Sequence, residues 1–218
     1  MIFSMLTSGL DAQTIVLSIL YTIPAVLIAL CFHEFAHAFA AYKLGDPTAK
    51  NSGRMTIDPT KHLDPLGTIF MFLFGFGWAK PVPVNARNFK NFRRDDIIVS
   101  CAGPVMNLFV SFVAVGLRVL FWRLGFLDGV ADNILTYIII YNIYIALFNL
   151  IPIPPLDGFH VVASCFIRKN TSFVKFLYRY GYIILLALLV TGAISLVFGT
   201  LTNIIWSGFQ NFFLLFVL

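Results

Sequence analysis

Residues 15 to 32, "IVLSILYTIPAVLIALCF", run without a single charge. At 1.5 Å per residue such a helix covers about 27 Å, close to the ~30 Å hydrocarbon core of a bilayer. The run predicts a membrane helix over 12–44, kinked at Pro24 and stopped by Gly45-Asp46-Pro47. The whole helix would be about 50 Å long, so it must tilt, kink or protrude.

The rest of the chain extends this reading. Of 218 residues, 59% are hydrophobic and only 11% charged, where soluble domains carry about a quarter charged. The expected fold class is a mostly α, polytopic membrane bundle of about four to six spans. It forms a single domain over 1–218. Further spans are expected over 97–121, 134–151 and 180–198, with an apolar tail over 200–218. No cleaved signal peptide is expected, because "MIFSMLTSGLDAQ" has no basic start and no small-residue cleavage site.

Between the first two spans, 45–96 is rich in Gly, Pro and Asn. Gly53–Ile57 is predicted as a short strand, and 65–79 as a re-entrant or interfacial segment, too short and Gly-broken to span. "WAKPVPVN" (78–85) reads as extended. Pro81 and Pro83 remove N–H groups from one edge, so any pairing falls on the other.

Nine of the fifteen Lys and Arg lie between Lys43 and Arg94. This bias puts 43–96 in the cytoplasm and the N-terminus outside, with Arg168, Lys169, Lys175 and Arg179 on the same side. Arg118 and Arg123 count against it but are outnumbered. No nucleic-acid-binding pattern accompanies the charges, so no nucleic-acid partner is expected. Cys31, Cys101 and Cys165 have neither disulfide-framework nor CxxC spacing.

Inside the first span stands "HEFAH". His33 and His37 are one helical turn apart and share a face, the spacing of two imidazoles on one zinc ion. Glu34 lies on the adjoining flank, placed to act as a general base without being a ligand. A chance HExxH arises in about one chain of this length in 200. Here the only glutamate of the chain sits between two of its four histidines. A buried carboxyl without a partner would cost roughly 2.5–3.5 kcal/mol or more in a membrane helix. A catalytic zinc takes three protein ligands. The soluble-protease spacing HExxHxxGxxH is absent, so the third must come from elsewhere. Asp157, His160, His62, Asp58 and Asp64 are all candidates, and Asp157-Gly158 also reads as an ordinary turn.

The combination of "FHEFAHA", "SGRMTIDPTKHLDPLGT", "GFGWAKPVPVN", "AGPVMNL" and "NLIPIPPLDG" resembles the site-2 protease family of intramembrane zinc metalloproteases. These motifs cover most of 30–160. The resemblance implies one catalytic Zn2+ held by His33, His37 and Asp157, with Glu34 as base. It implies an Asn149 amide near the zinc, contacting an oxyanion or substrate, and a recurring position at Asn107. The implied activity is regulated intramembrane proteolysis, with transmembrane proteins as substrates and the lipid bilayer as surroundings. The expected setting is a prokaryotic cell membrane, with the active site toward the cytoplasm. His160 departs from the pattern and reads better as an interfacial histidine. No segment is long enough for the family's PDZ module, and its CBS pair is missing too.

A substrate helix must unwind before it is cut, and strand addition is one way to hold it. Gly53, Met55 and Ile57 are the expected substrate contacts, with Asn107 as a further one. Two other readings share the site: a zinc hydrolase of another amphiphile, and a metal transporter. A transporter would need polar residues along several spans, and few are present. A homo-oligomer is left open.

Overall fold

The computed structural model describes residues 9, 11–74, 77–166 and 172–216. The N-terminal stretch 1–8 and the basic residues Arg168 and Lys169 lie outside the described residues. The helices are α1 (Ala12–Lys43), α2 (Thr48–Asn51), α3 (Pro59–His62), α4 (Pro65–Phe74), α5 (Phe92–Arg123), α6 (Gly129–Asn149), α7 (Asp157–Phe166), α8 (Ser172–Val190) and α9 (Ala193–Leu214). Four of them, α1, α5, α6 and α8, are long and apolar enough to cross a membrane.

Helix α1 starts where Asp11 accepts from the Thr14 N–H, a side-chain cap on otherwise unpaired donors. It keeps Pro24 inside and ends after Lys43. Its buried face is built of small residues. Ala25, Ala29, Ala36, Ala38 and Ala41 are all at most 5% exposed. Small side chains let helix backbones approach closely in a membrane. This face packs against both α5 and α6, which also pack on each other. Toward the far end of α5, Val115 and Val119 join Ile139 and Ile143 of α6, and Trp206, Phe209 and Phe213 of α9 cover them.

The expected fourth span, 180–198, crosses a break. Helix α8 runs to Val190, the chain turns at Thr191-Gly192, where Gly192 has φ 71°, and α9 begins at Ala193. Apolar composition is continuous across that turn, so hydropathy alone could not mark it. Leu185 of α8 meets Ile194 and Phe198 of α9 in one buried cluster with Leu156.

The strand expected at Gly53–Ile57 does not form, and no strand occurs among the described residues. One isolated antiparallel bridge links Leu63 and Ala79. Gly53 sits in a turn with φ 68°, and Arg54 is spent on the carbonyls of Lys80 and Pro81. The side chain satisfies acceptors that a strand partner would have used. The 78–85 segment is irregular, but its edges behave as the prolines require. Lys80 N–H donates to the His62 carbonyl and Val82 N–H donates into α1, both from the edge opposite Pro81 and Pro83.

Arg118, which argued against the charge-based topology, pairs with Asp132 at 2.6 Å and lies over the Trp206 ring. A paired arginine is a weaker orienting signal than a free one.

Candidate metal centre

Helix α1 carries His33, Glu34 and His37 on its buried side, at 4%, 9% and 7% exposure. Helix α6 ends at Asn149, and a tight turn leads to Asp157 at the start of α7. A side chain at Gly158 would put its Cβ 2.2 Å from the Leu150 carbonyl oxygen. Only glycine lets the turn close so tightly, which accounts physically for the Asp-Gly pair. The other end of α7 is tied to α5 by Ser164, whose hydroxyl donates to Asp96 at 2.6 Å.

Three side-chain atoms meet between these elements. His33 Nε2 and His37 Nε2 are 3.0 Å apart, and Asp157 Oδ2 lies 3.1 and 3.2 Å from them. His37 Nδ1–H donates to the Val99 carbonyl at 2.7 Å, and His33 Nδ1–H donates to Asn107 Oδ1 at 2.6 Å. In a neutral ring each Nε2 is then a bare lone pair. Asp157 Oδ2 is buried and has no aligned hydrogen bond. Three acceptor atoms that face one another repel unless a cation lies among them.

Zinc fits this set. A tetrahedral ion with bonds of about 2.0–2.2 Å needs ligand atoms roughly 3.3–3.6 Å apart, within a few tenths of the triangle found. The donor chemistry, two imidazoles and a carboxylate, suits zinc. The space is kept open by Gly103 of α5. A Cβ there would lie 2.4 Å from His37 Nε2 and 2.7 Å from His33 Nε2.

Among the described residues, His33, His37 and Asp157 are the group whose ligand atoms converge. The other candidates are engaged elsewhere. His62 is fully buried, with its Nε2 on the Thr56 carbonyl. Asp58 caps α3, and Asp64 accepts from the Gly67 N–H. His160 is exposed and leans edge-on against Phe159.

Glu34 accepts from the Val82 backbone N–H at 2.8 Å. Asn149 donates its amide to the Ile145 carbonyl of its own helix at 3.0 Å. Asn107 was expected as a further substrate contact. It is 0% exposed, and its amide is committed to His33, Ala29 and Asn142. Of the expected substrate contacts, Gly53 and Ile57 are exposed, whereas Met55 packs inward against Ala38, Ala49 and Val82.

Two partners escaped the sequence reading. Val82 has no side-chain signal, since its backbone makes the contact. Asn142 had one: an amide standing alone in the apolar run "YIIIYNIYIAL".

A multi-pass membrane bundle with a His-His-Asp centre beside a glutamate has the form of a membrane metalloprotease. Residues 126–188 match the model of peptidase family M50, a stretch that includes Asp157 but not the histidine pair. The chain is 41% identical over 189 residues to the Bacillus subtilis (strain 168) protein named "Putative zinc metalloprotease YwhC", covering 84% of this chain and 86% of that one. It is 29% identical over 177 residues to "Putative zinc metalloprotease Rip2" of Mycolicibacterium smegmatis, covering 78% of this chain and 66% of that one. A Mycobacterium tuberculosis protein of the same name is 33% identical over 140 residues, 61% of this chain and 52% of that one. No solved structure matches. The chain belongs to peptidase family M50, the site-2 protease family, and is a zinc metalloprotease.

Proposed function

We propose that this protein hydrolyses peptide bonds within or near the transmembrane helices of other membrane proteins, as regulated intramembrane proteolysis. His33, His37 and Asp157 hold one zinc ion, and Glu34 is the general base. The observation that carries the reading is the convergence of His33 and His37, on the buried face of an apolar span beside Glu34, with Asp157 from the start of α7. His33 is ten residues from Lys43, about 15 Å along the helix, so the site lies below the basic, cytoplasmic end of α1.

When bound, zinc lowers the pKa of a water toward 7 and polarises the scissile carbonyl. Glu34 takes the water proton on Oε1 while Val82 N–H holds Oε2, and it later delivers the proton to the leaving amine nitrogen. Asn149 Nδ2 serves the developing oxyanion once it turns from the Ile145 carbonyl. The unwound substrate is received along 53–57 at its two exposed residues, Gly53 and Ile57, with Ile57 as the apolar contact.

The test is co-expression with a panel of single-span membrane proteins and mass analysis of the products. Wild type is expected to give fragments cut within or beside the span. Glu34→Gln is expected to give none while retaining zinc. Equal fragments from both would overturn the reading, and so would zinc-dependent metal transport that survives Glu34→Gln with no cleavage in either.

A further inference from the structure

Asn107 does not stand alone behind His33. Its Nδ2 donates to the Ala29 carbonyl at 2.9 Å and to Asn142 Oδ1 at 3.0 Å. Asn142 in turn donates from Nδ2 to the Ile138 carbonyl at 2.8 Å. Both asparagines are 0% exposed. The chain runs from the α6 backbone through two amides to the imidazole, and joins α6, α5 and α1.

Its direction is fixed by donor and acceptor identity. A carboxamide turned end for end exchanges its oxygen and its NH2. Turning Asn142 would set oxygen against the Ile138 carbonyl oxygen, and NH2 against the Asn107 NH2. Turning Asn107 would set oxygen against both the Ala29 carbonyl and Asn142 Oδ1. Neither arrangement can be satisfied in an apolar interior, where an unpaired polar group is costly. Asn107 must therefore present Oδ1 to His33. That oxygen accepts only from N–H, which places the ring hydrogen on Nδ1 and leaves Nε2 bare.

We propose that Asn142 is a positioning residue for the metal centre. It acts through Asn107, adding to the Ala29 carbonyl a second acceptor that holds the amide orientation selecting the Nδ1–H tautomer of His33. The plainer role of such a pair is adhesion between membrane helices. Adhesion alone would be indifferent to the histidine tautomer and to zinc affinity. The inference rests on His33 being a zinc ligand, and the experiment separates the two claims.

The full-length chain is placed in lipid nanodiscs, with zinc affinity measured by chelator competition and the tautomers read by 15N-histidine NMR. Four histidines keep the spectrum tractable. Zinc-free wild type is expected to show His33 protonated on Nδ1. Asn142→Leu is expected to mix the tautomers and weaken zinc binding about 10-fold, the low end for groups that orient metal ligands. In an Asn107→Leu background, Asn142→Leu is expected to add nothing. Asn142→Asp, isosteric and neutral in an apolar setting, keeps both an acceptor and a donor and is expected to restore affinity to within about 3-fold of wild type. Three results would overturn the proposal: an Nε2–H tautomer in wild type, wild-type zinc affinity in Asn142→Leu, or losses that multiply independently with Asn107→Leu. A wild-type chain that binds no zinc would instead sink the ligand assignment of His33. Should Asn142→Leu fail to fold, the wild-type tautomer and Asn142→Asp still decide.

Discussion

The backbone N–H of Val82 donates to Glu34 Oε2 at 2.8 Å, across 48 residues of sequence. Pro81 and Pro83 flank Val82 and have no N–H, so Val82 supplies the donor at this point of the segment. Its side chain packs with Ala38 and Ala49, which holds the segment against α1. One oxygen of the only glutamate is thus oriented by backbone.

Removing that donor tests its worth. A hydrogen bond to a charged group contributes about 1.5–3 kcal/mol. Val82→Pro is expected to lower proteolysis roughly 10- to 100-fold with zinc content unchanged. Cleavage rates and zinc stoichiometry in the same preparation check this.

Gly103 keeps open the space beside the His33 and His37 rings. Alanine is the better helix former, so Gly103→Ala should not weaken α5 locally. Its Cβ would stand 2.4 Å from His37 Nε2, however. Zinc affinity is expected to fall at least about 100-fold, and the zinc-free protein to lose about 1–3 kcal/mol of stability, because the methyl also crowds the two buried imidazoles. Chelator competition and a melting curve separate the two effects.

Gly158 makes the turn that delivers Asp157. The Gly158→Ala methyl would press on the Leu150 carbonyl, a backbone atom that cannot move aside cheaply. The expected result is a loss of about 2–4 kcal/mol in stability together with loss of zinc. Denaturation in detergent, with metal content measured in parallel, checks it.

Asp46 fastens the loop that follows the Val82 segment. It is 0% exposed and accepts from Thr48, from the Asn85 N–H at 2.7 Å and from Asn88 Nδ2 at 2.7 Å. Burial by itself pushes its pKa up, but the hydrogen bonds outweigh burial and hold it below the ordinary carboxylate value. A depressed folded pKa adds stability above the unfolded value of about 3.9, and that stability is lost as pH falls through the folded value. Wild type should therefore lose thermal stability as pH drops below about 4, and Asp46→Asn should flatten that slope. Melting curves at several acid pH values show whether it does.

Much of the bundle was legible because the bilayer imposes a simple rule: long charge-free runs must be helices. "HEFAH" was legible because its helical spacing is local. Asp157 is different. It lies 120 residues beyond His37, and nothing in spacing alone ranked it above His62 or His160; the family resemblance did. The strand at Gly53–Ile57 was misread because Arg54 spends its guanidinium on the carbonyls of the facing segment. The break at Gly192 was missed because both sides of it are equally apolar. Asn142 was visible as an isolated amide, but its meaning depends on Asn107, which lies on another helix.

We propose that His33, His37 and Asp157 hold one zinc ion. Metal analysis with zinc X-ray absorption on the purified chain tests it most directly. One zinc per chain, with two imidazole ligands and otherwise oxygen, is predicted for wild type and for Glu34→Gln, and about none for Asp157→Ala. Zinc bound without imidazole, or full zinc occupancy in Asp157→Ala with unchanged coordination, would contradict it.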